Sequence, residues 1–359
     1  MQKKVIALAV AALASSAAFA QTNVTVYGVV DVGQSFVKSS GDVAGNNQST
    51  VGRLDSNSSH IGFKGVEDLG NGLKAIFQYE SGFNADNAGA LAGGRDTFIG
   101  LTGGFGTVVA GNLTHPLRAM GAKAELMPGA SGIGTMASVT SRIGNVGQTG
   151  ADERAANAIA YVSPSFGGFS GTVAYVNGET QPNGNGAAEA RQYQIAGQYD
   201  NGPLFVGAGY HAAKNLGGVD AADARVYRVA AVYSLPTNTK LTALFDNSKI
   251  ENAGGFDKRN AWTLGAAQSF GKNTVGLEYG RSGKIKDETG TLADTKSSIW
   301  SALYTYTLSK RTSVHARYSK LTNQDGINNN FYINPVNNGV ATGLGSDYTG
   351  YMVGLRHAF

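Results

Sequence analysis

The histidines are the first residues to consider for chemistry, because imidazole can act both as a metal ligand and as a general base near neutral pH. They are His60, His115, His211, His315 and His357. These positions lack the close spacing of a metal-binding motif. The sequence also contains no Gly-x-Ser-x-Gly elbow, no phosphate-binding glycine loop and no cysteine. The chain therefore predicts no catalytic motif, no metal site and no cofactor, and its charged side chains become the main candidates for function.

A second set of candidates lies between Asn112 and Asp152, in a stretch without regular periodicity. Pro116, Pro128 and several glycines interrupt this stretch, so it is predicted to be a long loop. Its ionisable residues are Arg118, Lys123, Glu125 and Arg142, with Asp152 and Glu153 at its exit. A structureless loop much longer than about 15 residues is uncommon in a compact domain unless it has a function. We therefore predict an enclosure around it, a closed β-barrel whose lumen the loop narrows.

The segments on either side of this stretch alternate apolar and polar residues, which is typical of strands with two different faces. In the first segment Val24, Val26, Val30 and Val32 share one face, while Thr25, Tyr27 and Asp31 share the other. The same alternation places Lys64 and Lys74 opposite in phase to Phe63 and Leu73. In a barrel, Lys64, Lys74 and Asp31 would all face the lumen. The two lysines would add positive charge to the lumen.

The N-terminal segment has the three parts of a secretory signal peptide. Lys3 and Lys4 are basic, residues 5–13 are apolar, and residues 18–20 form a small-residue cleavage site. The apolar run is shorter than the roughly 20 residues that a membrane-spanning helix needs. We predict that residues 1–20 are cleaved off. Without the two lysines the formal net charge falls from +4 to +2, so the pI of about 9.0 does not indicate a nucleic-acid partner.

The composition narrows the class of protein further. The chain has 51 Gly, 7 Pro, 16 Tyr and 15 Phe, with 15% charged residues, which is too aromatic for a linker and indicates a β-rich protein. A mean hydropathy of −0.15 is compatible with a membrane barrel, because each strand turns one face to lipid and the other to water. Without cysteine, an exported chain has to obtain its stability from closed backbone pairing rather than from disulfides.

The predicted connections between strands have two lengths. Short turns are predicted near 68–71, 103–106, 200–203, 235–238 and 271–273, and longer polar connections near 39–52, 179–189, 284–296 and 323–346. Short turns at one rim and long loops at the other are typical of outer-membrane barrels, whose strands need about 9 to 11 residues to cross the bilayer.

At roughly 21 residues per strand with its connection, residues 21–359 provide about sixteen strands. We therefore predict an all-β protein with a single domain at 21–359, a transmembrane antiparallel β-barrel with its constriction loop at about 112–152. A soluble β-sandwich or propeller is the alternative, but the sequence lacks the linkers and the blade-length repeat that these folds require.

Five segments of the chain carry a more specific pattern. They are VTVYG at 24–28, SHIGFKGVEDLGNGLKA at 59–75, FIGL at 98–101, NAIAY at 157–161 and GLRHAF at 354–359. Together they resemble the general trimeric porins of Gram-negative bacteria, in particular the neisserial and burkholderial type. The resemblance implies a sixteen-stranded barrel, a homotrimer and a third external loop folded inward. It also implies passive diffusion of small hydrophilic solutes through a water-filled pore in the outer membrane.

The resemblance further implies which residues line the narrowest section of the pore. The wall arginines of the family match Arg53, Arg95 and Arg154, which would set a field across the pore opposite the loop. Strand phase supports Arg95 and Arg154, whereas Arg53 lies in a run through which the phase cannot be followed. The complete predicted constriction comprises Arg53, Arg95, Arg154, Lys64, Lys74, Glu125 and Asp31. Because bases outnumber acids in this set, we predict a mild preference for anions.

Phe359 ends the last predicted strand. The resemblance implies that such an aromatic residue is the signal read by the barrel-assembly machinery, so Phe359 is predicted to be the assembly signal. The other expected partners are outer-membrane lipid and lipopolysaccharide. Two alternative functions stay open, a barrel hydrolase of the protease or phospholipase kind and adhesion through the long outer loops.

Overall fold

The chain folds into one antiparallel sheet that closes on itself. The computed structural model describes residues 23–359 except 88, 92, 144–146, 180–187 and 337–342. The predicted signal peptide therefore lies outside the described residues. Among those residues, no helix is long and apolar enough to cross a membrane.

In the described part of the chain, nineteen strand segments belong to the main sheet. Two of them form a small hairpin, and the other seventeen form sixteen wall strands, because one wall strand is interrupted and consists of two segments. The wall strands are β1 (Asn23–Ser40), β2 (Val51–Ser56, continued by His60–Gly70), β3 (Leu73–Gly82), β4 (Thr97–Gly103), β5 (Gly106–Thr114), β6 (Arg154–Val162), β7 (Phe169–Val176), β8 (Arg191–Asn201), β9 (Leu204–Lys214), β10 (Asp223–Ser234), β11 (Thr239–Asn252), β12 (Gly255–Phe270), β13 (Asn273–Ser282), β14 (Ser297–Thr307), β15 (Thr312–Asn323) and β16 (Asp347–Ala358). The small hairpin pairs Lys286–Asp287 with Gly290–Thr291.

Each wall strand pairs with its neighbours in the chain, and the barrel closes where β1 meets β16. Twelve Cα partners join these two strands, from Val29 opposite Ala358 to Ser40 opposite Asp347. A closed barrel leaves no row of unpaired backbone groups, so it has no sheet edge to protect. The predicted all-β barrel of about sixteen strands is confirmed.

The connections follow the predicted two lengths, with one exception. Short turns such as residues 71–72, 104–105 and 271–272 join strands at one rim, which we call the turn rim. Longer connections lie at the opposite loop rim, but β11 and β12 are joined there by residues 253–254 alone. The third connection at the loop rim, residues 115–153, is the longest, and we call it the inward loop.

The outer wall is apolar and carries a band of aromatic rings close to the loop rim. Its members are Tyr175, Tyr193, Tyr210, Tyr227, Phe245, Trp262, Tyr279, Trp300, Tyr318, Tyr351 and Phe36, one on each strand from β7 through β16 to β1. Neighbouring rings touch, with centroids 4.4 Å apart for Tyr279 and Trp300 and 5.0 Å apart for Tyr318 and Tyr351. Such bands lie at the membrane–water interface of outer-membrane barrels.

The buried core lies inside the barrel rather than within the wall. Ile133, Met136 and Val139 of the inward loop pack against Ile299 and Tyr348 of the inner wall. A second cluster surrounds Ile143 of the same loop. The barrel interior is therefore partly filled, and the inward loop supplies much of the filling.

Candidate functional site

The inward loop begins with a short helix that lies flat against the inner wall. This helix, α1 (Pro116–Ala124), corrects the prediction of a stretch without regular structure. Pro116 at its start costs no hydrogen bond, because the first N–H groups of a helix have no intrahelical partner. Leu117, Met120 and Ala124 are buried against the wall. Gly209 on β9 allows this close approach, since a Cβ there would lie only 2.8 Å from Leu117 Cδ1.

A cluster of buried charges fixes the inward loop to β10 and β11. Arg228 of β10 donates through Nε to Asp246 Oδ1 at 2.7 Å and through Nη2 to Asp152 Oδ2 at 2.8 Å. Its Nη1 also donates to the carbonyl oxygen of Leu117 at 2.9 Å. Burial would raise the pKa of the Asp152 carboxyl, but the Arg228 guanidinium outweighs burial and holds this pKa below its ordinary value. One wall arginine thus holds both ends of the inward loop.

A second polar cluster holds the middle of the inward loop. Asp31 of β1 is fully buried and accepts hydrogen bonds from Arg356 Nη1 at 3.1 Å and Asn57 Nδ2 at 3.0 Å. His315 Nε2 lies 3.1 Å from the same carboxylate. Arg317, beside it, donates to the carbonyl oxygen of Ser131 in the loop. Asp31 was predicted to line the constriction, but its charge is satisfied by these neighbours and is covered by the loop.

Glycine is required where the loop meets this second cluster. Gly132 has φ of +87°, a conformation that residues with a Cβ rarely adopt. A Cβ at Gly132 would also lie 2.4 Å from Asn57 Oδ1 and 2.6 Å from Arg317 Nη1. The loop can therefore approach the charged wall only through a residue without a side chain.

Between the inward loop and the wall lies a cavity of about 830 Å³. The charged and phenolic groups that line it are Arg95, Arg118, Arg154, Arg228, Glu125, Asp152 and Tyr332. The cavity is open to solvent, and two of its arginines, Arg95 and Arg154, lie at or next to the ends of β4 and β6. Because four arginines and two carboxylates line it, the cavity presents a positively charged surface inside the barrel.

Arg95 and Arg154, both predicted for the constriction, are brought together in this cavity. Arg154 Nε lies 3.0 Å from Asp96 Oδ2, and Arg95 forms an ion pair with Glu80. Glu80 and Asp96 do not themselves line the cavity. Each arginine is thus paired with a carboxylate while its own side chain lines the cavity.

Arg53 is held elsewhere. Its guanidinium donates to the carbonyl oxygens of Pro335 at 2.7 Å and Asn334 at 2.5 Å, and it lies 3.0 Å from Asp55. It faces inward but does not line the cavity. The sequence did not show which face of the wall Arg53 occupies. Arg53 pairs with Ser35, a buried residue of β1, and this pairing places it on the inner face.

Lys64 and Lys74 also lie away from the cavity. The strand phase assigned them correctly to the inner face, since Lys64 is opposite Thr25 on β1. Lys74, however, is the second residue of β3 and therefore lies at the turn rim. Lys64 Nζ rests 5.2 Å from the ring centroid of Tyr27. Alternation predicts which face a residue occupies, but not its height along the barrel axis.

Glu125 lines the cavity and also shapes the loop. Its Oε2 accepts the N–H of Met136 at 2.8 Å, and its Oε1 accepts the N–H of Met127 at 3.2 Å. Glu278 of β13 accepts the N–H of Leu126 at 2.8 Å. The only mid-loop carboxylate is therefore used mainly to fold the loop against the wall.

The sequence reasoning missed two important members of the site. Arg228 lies on the polar face of its strand, and this phase was the available signal, but nothing in the sequence indicated its partners. Tyr332 belongs to the last loop (residues 324–346) and bonds through Oη to the carbonyl oxygen of Asp152 at 3.1 Å. Only the folded structure brings Tyr332 to the inward loop.

Comparison with known proteins identifies the family. A model of the Gram-negative porins matches residues 7–326. The chain belongs to the Gram-negative porin family. It is 33% identical over 363 residues to outer membrane porin protein 32 of Delftia acidovorans, covering all of both chains. It is 29% identical over 368 residues to the major outer membrane protein P.IB of Neisseria meningitidis serogroup A, again over the full length of both.

Solved porin structures agree with this assignment. An anion-selective porin from Comamonas acidovorans superposes with a TM-score of 0.79 at 30% identity, over 94% of this chain and 100% of that one. A trimer form of OmpT from Vibrio cholerae shares the fold, with a TM-score of 0.68 at 16% identity. The predicted resemblance is confirmed. This porin is an outer-membrane channel for the passive diffusion of small hydrophilic solutes.

Proposed function

We propose that this porin prefers anions and that Arg95 and Arg154, with Arg118 of the inward loop, set the preference. The supporting observation is that Arg95, Arg118 and Arg154 line the cavity, whereas Glu80 and Asp96, which form ion pairs with Arg95 and Arg154, are not among the residues that line it. In a narrow passage walled by protein, salt screens such charges less than on an open surface. The anion selectivity named for the Comamonas acidovorans porin supports the same reading.

The experiment is the reversal potential of single channels in a salt gradient. Wild type should show anion preference. The variant Arg95→Gln with Arg154→Gln should shift toward cations, more at 0.1 M salt, where the Debye length is about 10 Å, than at 1 M, where it is about 3 Å. Arg191→Gln with Arg311→Gln changes two exposed arginines and is the matched control. Equal shifts in the two double variants would instead assign selectivity to diffuse charge.

A single substitution tests whether Arg53 contributes to ion selectivity. Because its guanidinium is bound to two carbonyl oxygens of the last loop, Arg53→Gln should leave the reversal potential close to that of wild type. A shift as large as that caused by Arg95→Gln would return Arg53 to the set of selectivity residues.

We also propose a homotrimer, with the outer face of β4 and β5 against the neighbouring copy. In the described part of these strands the exposed side chains are aliphatic, such as Ile99, Leu101 and Val108, and the aromatic band does not continue there. A face covered by protein has no need of interfacial rings, whereas the rest of the wall would contact outer-membrane lipid and lipopolysaccharide. Ile99→Asn should therefore convert trimer to monomer on semi-native gels. Leu264→Asn, on the side of the barrel that carries the aromatic band, should leave the trimer intact. If Leu264→Asn gave monomer and Ile99→Asn did not, the interface would lie on the aromatic side instead.

We propose in addition that the porin acts without catalysis, since its polar interior is used to hold the loop and line the passage. A barrel hydrolase would instead cleave an ester, a phospholipid or a peptide. Esterase, phospholipase and protease assays on the purified protein distinguish the two. Turnover that copurifies with the barrel and disappears on a single lumenal substitution would establish the hydrolase.

A further inference from the structure

Behind the cavity, on the inner face of β12, lies an arginine that forms no ion pair with a carboxylate among the residues that the structure describes. Arg259 is only 3% exposed. Its Nη1 donates to Ser282 Oγ at 3.0 Å and its Nη2 to the carbonyl oxygen of Val139 at 3.3 Å, both of which are neutral acceptors. Its Nε has no hydrogen-bond partner among the described residues. A buried N–H group that carries positive charge and lacks an acceptor is unfavourable.

A second polar group without a partner lies directly across the strand pair from Arg259. Ser248 of β11 is the direct cross-strand partner of Arg259 and is only 2% exposed. Its Oγ also has no partner among the residues that the structure describes. Side chains directly opposite each other in an antiparallel pair have Cβ atoms about 5 Å apart. Two buried side chains, each with an unpartnered polar atom, therefore lie next to each other on the inner face.

The surrounding charges do not balance. Arg142 of the inward loop and Asp246 of β11 both interact electrostatically with Arg259, the first unfavourably and the second favourably. Arg142 Nη1 donates to the carbonyl oxygen of Asn330 at 3.2 Å. Burial lowers the pKa of Arg142, as expected of a desolvated cation.

The nearest carboxylates are already in use. Asp246 accepts from Arg228 through both oxygens and from the N–H of Ser141 at 2.9 Å, and Asp152 is bound by Arg228. Arg142, Arg228 and Arg259 thus stand against two aspartates. The cluster carries one excess positive charge, which a single monovalent anion would neutralise.

We propose that one halide-sized anion, chloride in most media, binds between Arg259 Nε and Ser248 Oγ. Only these two donors lack partners there among the described residues, because both Nη atoms of Arg259 are engaged, so a monatomic ion fits better than an oxyanion that needs donors for several oxygens. The ion would enter from the lumen, since Thr140 and Tyr332 line the cavity and Arg142 lies over the Tyr332 ring at 5.8 Å. Unlike the conducted anions, it is a resident ion that holds residues 138–142 on the wall.

Anomalous diffraction tests the site directly. Crystals of the full protein grown in bromide in place of chloride should show an anomalous peak within hydrogen-bond distance of Arg259 Nε and Ser248 Oγ. The peak should disappear in Ser248→Ala and in Arg259→Gln, and remain in Arg191→Gln, which alters an exposed arginine. Density without anomalous signal at this point would indicate water and overturn the proposal. If anomalous peaks appeared only at other places in the crystal, the bound bromide would be an adventitious ion only, and the proposal would be overturned.

A measurement in solution tests the resident role. Chloride is varied against gluconate at constant ionic strength, and the temperature at which the heat-modifiable barrel unfolds is recorded. This temperature should rise with chloride in wild type and in Arg191→Gln, because an ion that binds only the folded state stabilises it. Ser248→Ala removes a single hydroxyl and should lose the dependence even if Arg259→Gln fails to fold. A wild-type temperature independent of chloride would refute the site without affecting the proposed anion preference, which is read from reversal potentials.

Discussion

Arg228 shows how one buried residue can hold a whole segment in place. It contacts α1 through the carbonyl oxygen of Leu117, the loop exit through Asp152, and the neighbouring strand through Asp246. Removing it would leave two buried carboxylates without their partner. Breaking a buried ion pair from one side typically costs about 3–5 kcal/mol, which is enough to release a loop.

We therefore expect Arg228→Met to give channels with larger and less steady single-channel currents than wild type, while the barrel still inserts. Planar-bilayer recordings measure this directly. Arg191→Met, an exposed arginine, should behave as wild type. Steady currents of wild-type size in Arg228→Met would show that the second cluster around Asp31 holds the loop alone.

His115 predicts a dependence on pH. It begins the inward loop, its Nδ1 lies 2.9 Å from the carbonyl oxygen of Gly150, and burial lowers its pKa below the ordinary value. Asp152, Arg118 and the His211 ring, 5.7 Å away, face it. A histidine released from this site takes up a proton near pH 6.5, whereas the docked histidine resists protonation. Docking of the loop is therefore at full strength above about pH 6.5 and weakens as the pH falls.

Current fluctuations should accordingly increase in wild type as the pH is lowered below about 6.5. His115→Gln, which cannot be protonated, should show a smaller increase over the same range. If the two proteins responded identically in bilayer recordings, the acid sensitivity would belong to other groups.

For single residues, the sequence predicted which face of the barrel wall a side chain occupies, but it did not predict which residues lie next to that side chain. Arg95, Arg154, Lys64 and Lys74 all lie on the inner face, as the alternation of their strands indicated. Alternation has a period of two and carries no information about height, so the lysines lie away from the cavity. The capture of Arg53 by two carbonyl oxygens of residues nearly three hundred positions later is a tertiary contact that no local pattern contains.

The inward loop is the element on which the passage depends. Its lack of strand periodicity predicted a connection that needs an enclosure, and residues 115–153 do contact the inner wall. The helix α1 was missed although Leu117, Met120 and Ala124 have helical spacing. A pattern of nine residues is too short to stand out, because isolated helices of that length are not stable without tertiary packing.

Deleting residues 118–149 should therefore widen the passage. We expect a single-channel conductance clearly above that of wild type, because the segment fills part of the lumen and lines the cavity. Removing the mostly exposed residues 286–291, which lie outside the cluster around Ile143, is the control and should change conductance little. A wild-type conductance in a correctly inserted deletion variant would mean that other loops form the narrowest section.

For the molecule as a whole, the closing of β1 on β16 is the decisive contact. Phe359 N donates to the carbonyl oxygen of Gly28 at 3.0 Å, and Gly28 N donates back to that of Phe359 at 3.1 Å. The ring lies where a Cβ of Gly28 would be, 2.5 Å from Phe359 Cζ. The sequence predicted the number of strands, since length divided by strand spacing suffices for that, but the pairing partners across the closure follow only from the fold.

Phe359→Ala should reduce the yield of folded, heat-modifiable protein in the outer membrane, if this residue is the signal that we predict for the barrel-assembly machinery. Phe270→Ala alters an exposed ring of the outer wall and should leave the yield near that of wild type. Densitometry of unboiled outer-membrane fractions compares them. Similar yields from both variants would remove the assembly role from Phe359.

The two clusters that hold the inward loop are attached to separate sectors of the wall, one on β10 and β11 and the other on β1, β15 and β16. A segment that is tied to the wall of a barrel at two sectors acts as an internal strut. The shape of the cross-section and its width are consequently set by the same residues. We therefore expect that shortening this segment to admit larger solutes would also lower the mechanical rigidity of the barrel.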